Sequence, residues 1–440
     1  MKKTFLSLIL LFFLTSLAFS QDFDKNKLDQ YFNSLESNSK FMGSVAVSKD
    51  GEIIYSKTVG FSDVENNIKA DKNSKYRIGS ISKTFTSVLV IKAIEESKLT
   101  LTQTIDKYFP SIKNADKITI KQLLTHRSGI HNFTNDIDYL TWNTSPKTAE
   151  EMVELIAKSG SDFEPDSKAV YSNSNYVLLS YILEQTFNKS FSELLQEYIV
   201  SPIELETTHF GEKINLNKNE CQSYNFLGDW VVSTETDMSI PMGAGGIIST
   251  PEDLVKFSNA LFQGKLLSTE SLEMMTNIID GFGMGLFQIP FYDKMAYGHT
   301  GGIDAFNSIF AYFPNDNISY ALTSNGINYN INDISIAVLS AVFDKPYDIP
   351  EFSVYKIAPV DLDKYVGIYS STAVPMKISI TKSNNTLIAQ ATGQSEFPLT
   401  PKDKDTFTFD QAGIEMKFNP AEKTMLLKQV GFQFEFTKEK

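Results

Sequence analysis

Ser80-Ile81-Ser82-Lys83-Thr84-Phe85-Thr86-Ser87-Val88-Leu89-Val90-Ile91 is a helix-like run whose one charged side chain is Lys83. Residues three apart share a helix face, so Ser80 and Lys83 project side by side into whatever cleft this segment borders. A serine hydroxyl is a poor nucleophile at neutral pH and needs a neighbour to take its proton. A lysine can do so where desolvation favours its neutral form, and the uncharged run from Thr84 to Ile91 suits such a site. Ser82 is the poorer candidate, because it adjoins Lys83 in the chain and faces elsewhere on a helix.

Working outward, Tyr76-Arg77-Ile78-Gly79 leads into Ser80, and Leu123-Leu124-Thr125-His126-Arg127-Ser128-Gly129-Ile130 follows. Further on come Tyr171-Ser172-Asn173, then Gly243-Ala244-Gly245-Gly246-Ile247-Ile248-Ser249-Thr250, and finally His299-Thr300-Gly301-Gly302 ahead of an alternating apolar stretch. Over roughly residues 40 to 340 this pattern resembles the serine beta-lactamase and penicillin-binding-protein superfamily. The likeness is strongest to its branch of class C-like hydrolases, D-aminopeptidases and esterases. The resemblance implies an α+β fold, a beta-lactamase/transpeptidase-like antiparallel sheet flanked by helices.

It also implies roles. Ser80 is the expected nucleophile and Lys83 the base or proton shuttle. Tyr171 shares their proton network, and which of Lys83 and Tyr171 is the kinetic base stays open in the sequence. Asn173 is expected to hydrogen-bond a substrate amide or Lys83. His299 stands where many relatives carry lysine; with Thr300 and Gly301 it is expected to bind substrate, lining the cleft and engaging a substrate carboxylate or the proton network. The His-x-Gly form is commoner among peptidases and esterases than among beta-lactamases. By the same resemblance the backbone N–H groups of Ser80 and Gly302 form the oxyanion hole, and Gly301 and Gly302 let backbone approach substrate closely. Gly245-Gly246 reads as a turn, and His126 as a residue packed beneath the site.

The N-terminus has Lys2 and Lys3, an apolar core over 5–13 continuing through Leu17, and a small-residue exit at Ala18-Phe19-Ser20. It reads as a signal peptide over 1–20, and the protein as exported, periplasmic or extracellular. The lone Cys221 can form no intramolecular disulfide and is expected to be buried. With 53 acidic against 40 basic side chains and a formal charge of −13, nucleic acid is an improbable partner. Four histidines without His-x-x-x-His spacing argue against a metal site, no phosphate loop is present, and no cofactor is expected.

Gly43-Ser44-Val45-Ala46-Val47 alternates, turns at Lys49-Asp50-Gly51, and resumes at Ile53, a hairpin signal. The chain is therefore expected to begin with strands. Helical patterns follow to about residue 275, including 149–159, 176–187 and 191–199, with a helix start at Pro251. A second hairpin reads over 306–312 and 318–323. These signals place a catalytic domain over 21–344. Pro346, Pro350 and Pro359 mark a linker over 345–360, and 361–440 reads as a small all-β, barrel-like domain, lipocalin-like as in many relatives, with strands at 376–380, 387–391, 406–409, 414–418, 425–429 and 432–436.

The expected function is that of a serine hydrolase forming an acyl-enzyme on an amide or ester: D-amino-acid or cell-wall-type peptides, or small esters. One alternative is a penicillin-binding or peptide-sensing module that acylates with little turnover. Another is a scaffold whose β-domain is the functional part. Specificity is expected in the loops 131–146 and 221–240.

Overall fold

The computed structural model describes residues 23–352, 355–394, 396–429 and 432–439, so the signal-peptide expectation for 1–20 lies outside the described residues. Strands Phe41–Lys49 and Glu52–Val59 form the first hairpin, and Phe306–Phe313 and Ile318–Ile327 the second. All join one antiparallel sheet, in the order Phe287–Phe291, Lys294–Ile303, Phe306–Phe313, Ile318–Ile327, Phe41–Lys49, Glu52–Val59. The first strand and the last strand of this sheet in chain order thus pair within it, where Ala46 stands opposite Ala321.

Side chains alternate between the two faces of a strand, and here both faces are covered. Ala46, Phe310 and Ala321 enter a core with Phe85 and Phe257 of the helical region, whose rings stack at 3.8 Å. Val45, Val47, Tyr320 and Leu322 enter a second core on the far side. Helix Pro251–Phe262 starts as read, with Pro251 in its first turn and the Thr250 hydroxyl accepting from Asp253 N–H.

The expected start in strands is corrected. The first described element is helix Lys25–Ser37, capped by Asp24, whose Leu28, Phe32 and Leu35 recur at helical spacing and bury against the far face of the sheet. Helix Ile331–Val342 covers the same face. The 191–199 segment is also not one α-helix: Phe191–Leu195 passes into a π turn over Gln196–Val200.

The C-terminal part is a closed barrel of eight strands from Gly367–Ser370 to Phe432–Lys438, sealed by pairing of Tyr369 with Lys438. Its own core includes Tyr365, Phe407, Phe418 and Phe436. Two of its strands, Gly367–Ser370 and Phe397–Asp403, were not expected. The second carries Pro398 and Pro401, which remove ladder donors. The barrel leans on the sheet. Lys40 pairs with Asp410 at 3.3 Å, Gln411 donates to the Ile327 carbonyl, and Gly228 sits so close to Thr386 that a Cβ would lie 2.5 Å from its hydroxyl.

Candidate active site

Helix Ser82–Glu95 is buried along nearly its whole length, so no face of it is left for solvent. Ser80 sits in the single 3-10 turn Gly79–Ile81 that feeds this helix, which needs Gly79 at φ +49°. Lys83 is 0 % exposed, and its Nζ lies 3.0 Å from Ser80 Oγ, 2.7 Å from Asn173 Oδ1 and 2.7 Å from the Ala244 carbonyl. No carboxylate pairs with it among the described residues. Burial without a counter-charge therefore pushes its pKa well below the ordinary 10.5. A neutral amine has two N–H donors and one lone pair. Asn173 and Ala244 can take the donors, leaving the lone pair for the Ser80 hydroxyl.

Asn173 begins helix Asn173–Phe187 and is held through both its side chain and its backbone. Its Nδ2 donates to Thr134 Oγ1 at 3.0 Å and its backbone N–H to Asn132 Oδ1 at 2.9 Å. Tyr171 packs its ring 4.6 Å from that of His126 and 4.9 Å from Lys83 Nζ. Burial raises the phenol pKa, opposed by a hydrogen bond with Ser80. His126 is buried and uncharged, its Nδ1 accepting from Ser172 N–H at 3.1 Å.

His299 lies beside Tyr171 and Phe287. It is 2 % exposed, with its ring 4.5 Å from that of Phe287 and 6.3 Å from that of Tyr171. Burial takes its pKa down to about 3, and Lys83 nearby adds to the shift. Its Nδ1–H donates to the Thr300 carbonyl at 2.5 Å. An uncharged imidazole in this aromatic setting offers no cation to a substrate carboxylate. Thr300 itself is exposed and pairs with Ile309 across the sheet.

The glycines bring two chain segments together. A Cβ on Gly301 would lie 2.0 Å from the Ile78 carbonyl oxygen and 2.4 Å from Ser308 Oγ, and one on Gly79 would lie 2.8 Å from Gly302 N. Strand Lys294–Ile303 therefore docks directly on the turn that carries Ser80. Gly301→Ala is expected to force this contact apart, costing about 1–3 kcal/mol of stability and, if Gly302 N–H moves, about a hundredfold in kcat. Gly302→Ala meets nothing within 4 Å and is expected to leave stability alone. Thermal melts of both variants check the contrast.

Ser80, Asn173 and Gly302 help wall a cleft of about 710 Å³. Phe133, Leu140, Tyr224 and Leu227 form further walls, within the segments where specificity was expected, and the barrel adds Glu396, Phe397 and Phe409. Several contributors escaped the sequence reading. Ala244 was read only as part of a glycine-rich stretch, yet Gly243 lets helix Met242–Gly245 approach Thr86 so closely that a Cβ would lie 2.6 Å from its hydroxyl. Arg77 is buried against the wall residues Thr236 and Asp304, with Nη1 on the Thr236 carbonyl and Asp304 and Nη2 on the Glu212 carbonyl and Glu235. An arginine next to the Ser80 turn was the one signal for it. Cys221 is free and buried, its thiol pushed up to about 12 by burial.

The beta-lactamase family profile matches residues 35–338. A teichoic acid D-alanine hydrolase of Staphylococcus aureus (strain MRSA252) is 29 % identical over 312 residues, covering 70 % of this chain and 75 % of that protein. The crystal structure of D-amino acid amidase from Ochrobactrum anthropi SV3 superposes with a TM-score of 0.65 at 25 % identity, covering 72 % of this chain and 99 % of that one. The octameric penicillin-binding protein homologue from Pyrococcus abyssi has a TM-score of 0.63 at 23 % identity and covers 94 % of this chain and 100 % of that chain, so its likeness in fold extends into the barrel.

Proposed function

The chain belongs to the beta-lactamase family, and from that premise we propose that Ser80, Lys83 and Tyr171 carry its chemistry. It is a serine hydrolase acting on amide or ester bonds. The observation that carries the assignment of residues is Lys83 Nζ, fully buried without a carboxylate and 3.0 Å from Ser80 Oγ. Neutral Lys83 takes the hydroxyl proton as Ser80 Oγ attacks the substrate carbonyl. The N–H groups of Ser80 and Gly302 receive the developing oxyanion. The raised pKa of Tyr171 suits a phenol that passes a proton to the leaving amine or alkoxide and regains one from Lys83, rather than a phenolate base. This favours Lys83 as the base. Water then attacks the acyl-enzyme through the same groups, and the acid is released.

The substrate class is D-aminoacyl, in amides, esters or cell-wall material, a reading supported by the names of the two relatives above. The same reading makes 21–344 the catalytic unit, 345–360 a linker and 361–440 a separate β-unit, supported by the barrel's own core. No helix among the described residues is long and apolar enough to cross a membrane. Export to the periplasm or outside rests on the leader pattern in 1–20.

The pH dependence tests the base. With kcat/KM requiring neutral Lys83, activity is expected to rise with pH and level off well below 10.5. A profile still climbing at an ordinary lysine's pKa would remove Lys83 from that role. A penicillin adduct that forms and persists, with no turnover of any D-aminoacyl substrate, would favour the stalled-binder alternative.

A further inference from the structure

We propose that Glu396, on the turn entering barrel strand Phe397–Asp403, selects substrates that carry a free ammonium; this rests on the reading of the Ser80 cleft as the active site. Among the described residues the cleft walls contain no lysine, arginine or histidine, and their two carboxylates are Asp304 and Glu396. Asp304 is already committed. Its side chain is 1 % exposed, pairs with Arg77 at 3.0 Å, and accepts from Thr236 N–H at 2.9 Å and Thr236 Oγ1 at 2.7 Å. Glu396 is exposed and has no ion pair or hydrogen bond among the described residues. The uncommitted charge facing the cavity is therefore negative, and the charge comes from the barrel.

Two further features point the same way. Beside Glu396, the rings of Phe397 and Phe409 stack at 4.7 Å on the same wall, and their faces attract a cation. The groups that could have offset the charge are out of play: Lys83 and His299 are buried behind the cleft and favour their neutral forms. A substrate with a free carboxylate meets repulsion here. A D-aminoacyl amide or ester with its α-ammonium free meets a counter-ion. The contacts of Lys40 with Asp410, Gln411 with Ile327 and Gly228 with Thr386 hold the barrel wall against the sheet.

The test compares the p-nitroanilides of D-alanine, N-acetyl-D-alanine and N-succinyl-D-alanine on the full chain, wild type against E396Q and E396D. The wild type is expected to prefer the free amine and to reject the succinyl compound. In E396Q the kcat/KM ratio of free over acetylated substrate falls by about threefold to fivefold, mainly through KM, as for a partly solvated ion pair, while E396D keeps most of the preference. Added salt narrows the wild-type ratio in the same direction. An unchanged ratio in E396Q, or a wild type that prefers the acetylated or succinylated compound, overturns the proposal. If Ser80 reacts with a fluorophosphonate but no anilide turns over, the same ranking is read from the protection each compound gives against labelling. Failure of the fluorophosphonate to label Ser80 defeats the underlying active-site reading instead, and the proposal with it.

Discussion

Lys83→Met is expected to lower kcat by roughly 10²–10⁴, the usual contribution of a positioned general base, while the protein stays folded. Methionine keeps much of the length and volume of the lysine stem. Stability receives two opposed contributions. The Ala244 carbonyl and Asn173 Oδ1 lose their donor, at about 1–3 kcal/mol for each group left unpaired. Against this, the wild type keeps Lys83 neutral in the fold although the unfolded chain would protonate it. Between the folded pKa and 10.5 the unfolded state binds the extra proton, so wild-type stability rises with pH across that window. The variant lacks this slope. Relative to the wild type, its melting temperature should therefore be highest at neutral pH and fall behind as pH approaches 10.5. A gap that does not change with pH would contradict a depressed Lys83 pKa, and kcat within tenfold of wild type would contradict its role as base.

Arg77→Met should cost about 3–5 kcal/mol, the penalty for breaking a buried ion pair from one side. The guanidinium is 1 % exposed and bridges Glu235 at 2.6 Å and Asp304 at 3.0 Å, besides two carbonyls. Removing it strands Asp304, itself 1 % exposed, and frees Glu235, whose Oε1 also accepts from Ile214 N–H. Those partners belong to the 212–236 segment and to the turn after strand Lys294–Ile303, so the cleft walls should loosen together and KM should rise. Arg77→Lys is expected to recover little, because one ammonium cannot reproduce a planar fork serving four acceptors. Denaturant melts of both variants read this directly; a loss below about 1 kcal/mol for Arg77→Met would mean the network contributes little.

Much of the site was legible because its parts are local. The spacing of Ser80 and Lys83 encodes a shared face, and the turn and helix observed there bring the two side chains within hydrogen-bonding distance. Strands of the barrel with clean alternation, such as Thr406–Phe409, were read to the residue. What escaped depends on partners far away in the chain. Helix Lys25–Ser37 is stable against a sheet whose strands come mostly some 250 residues later, and its short amphipathic pattern sits beside the stronger hairpin signal. The burial of His299 depends on its packing against Phe287 and Tyr171, which its motif does not encode. Glu396 faces the cavity only because the barrel packs on Lys40, Gly228 and Ile327. No local pattern around residue 396 carries that information.

The assignment of Ser80 as nucleophile is tested by intact-mass spectrometry after incubation with a fluorophosphonate, on the wild type and on Ser80→Ala in parallel. A single adduct on the wild type and none on the variant is the expected result. Equal labelling of both proteins, or no labelling of either, would contradict an acyl-enzyme mechanism through Ser80.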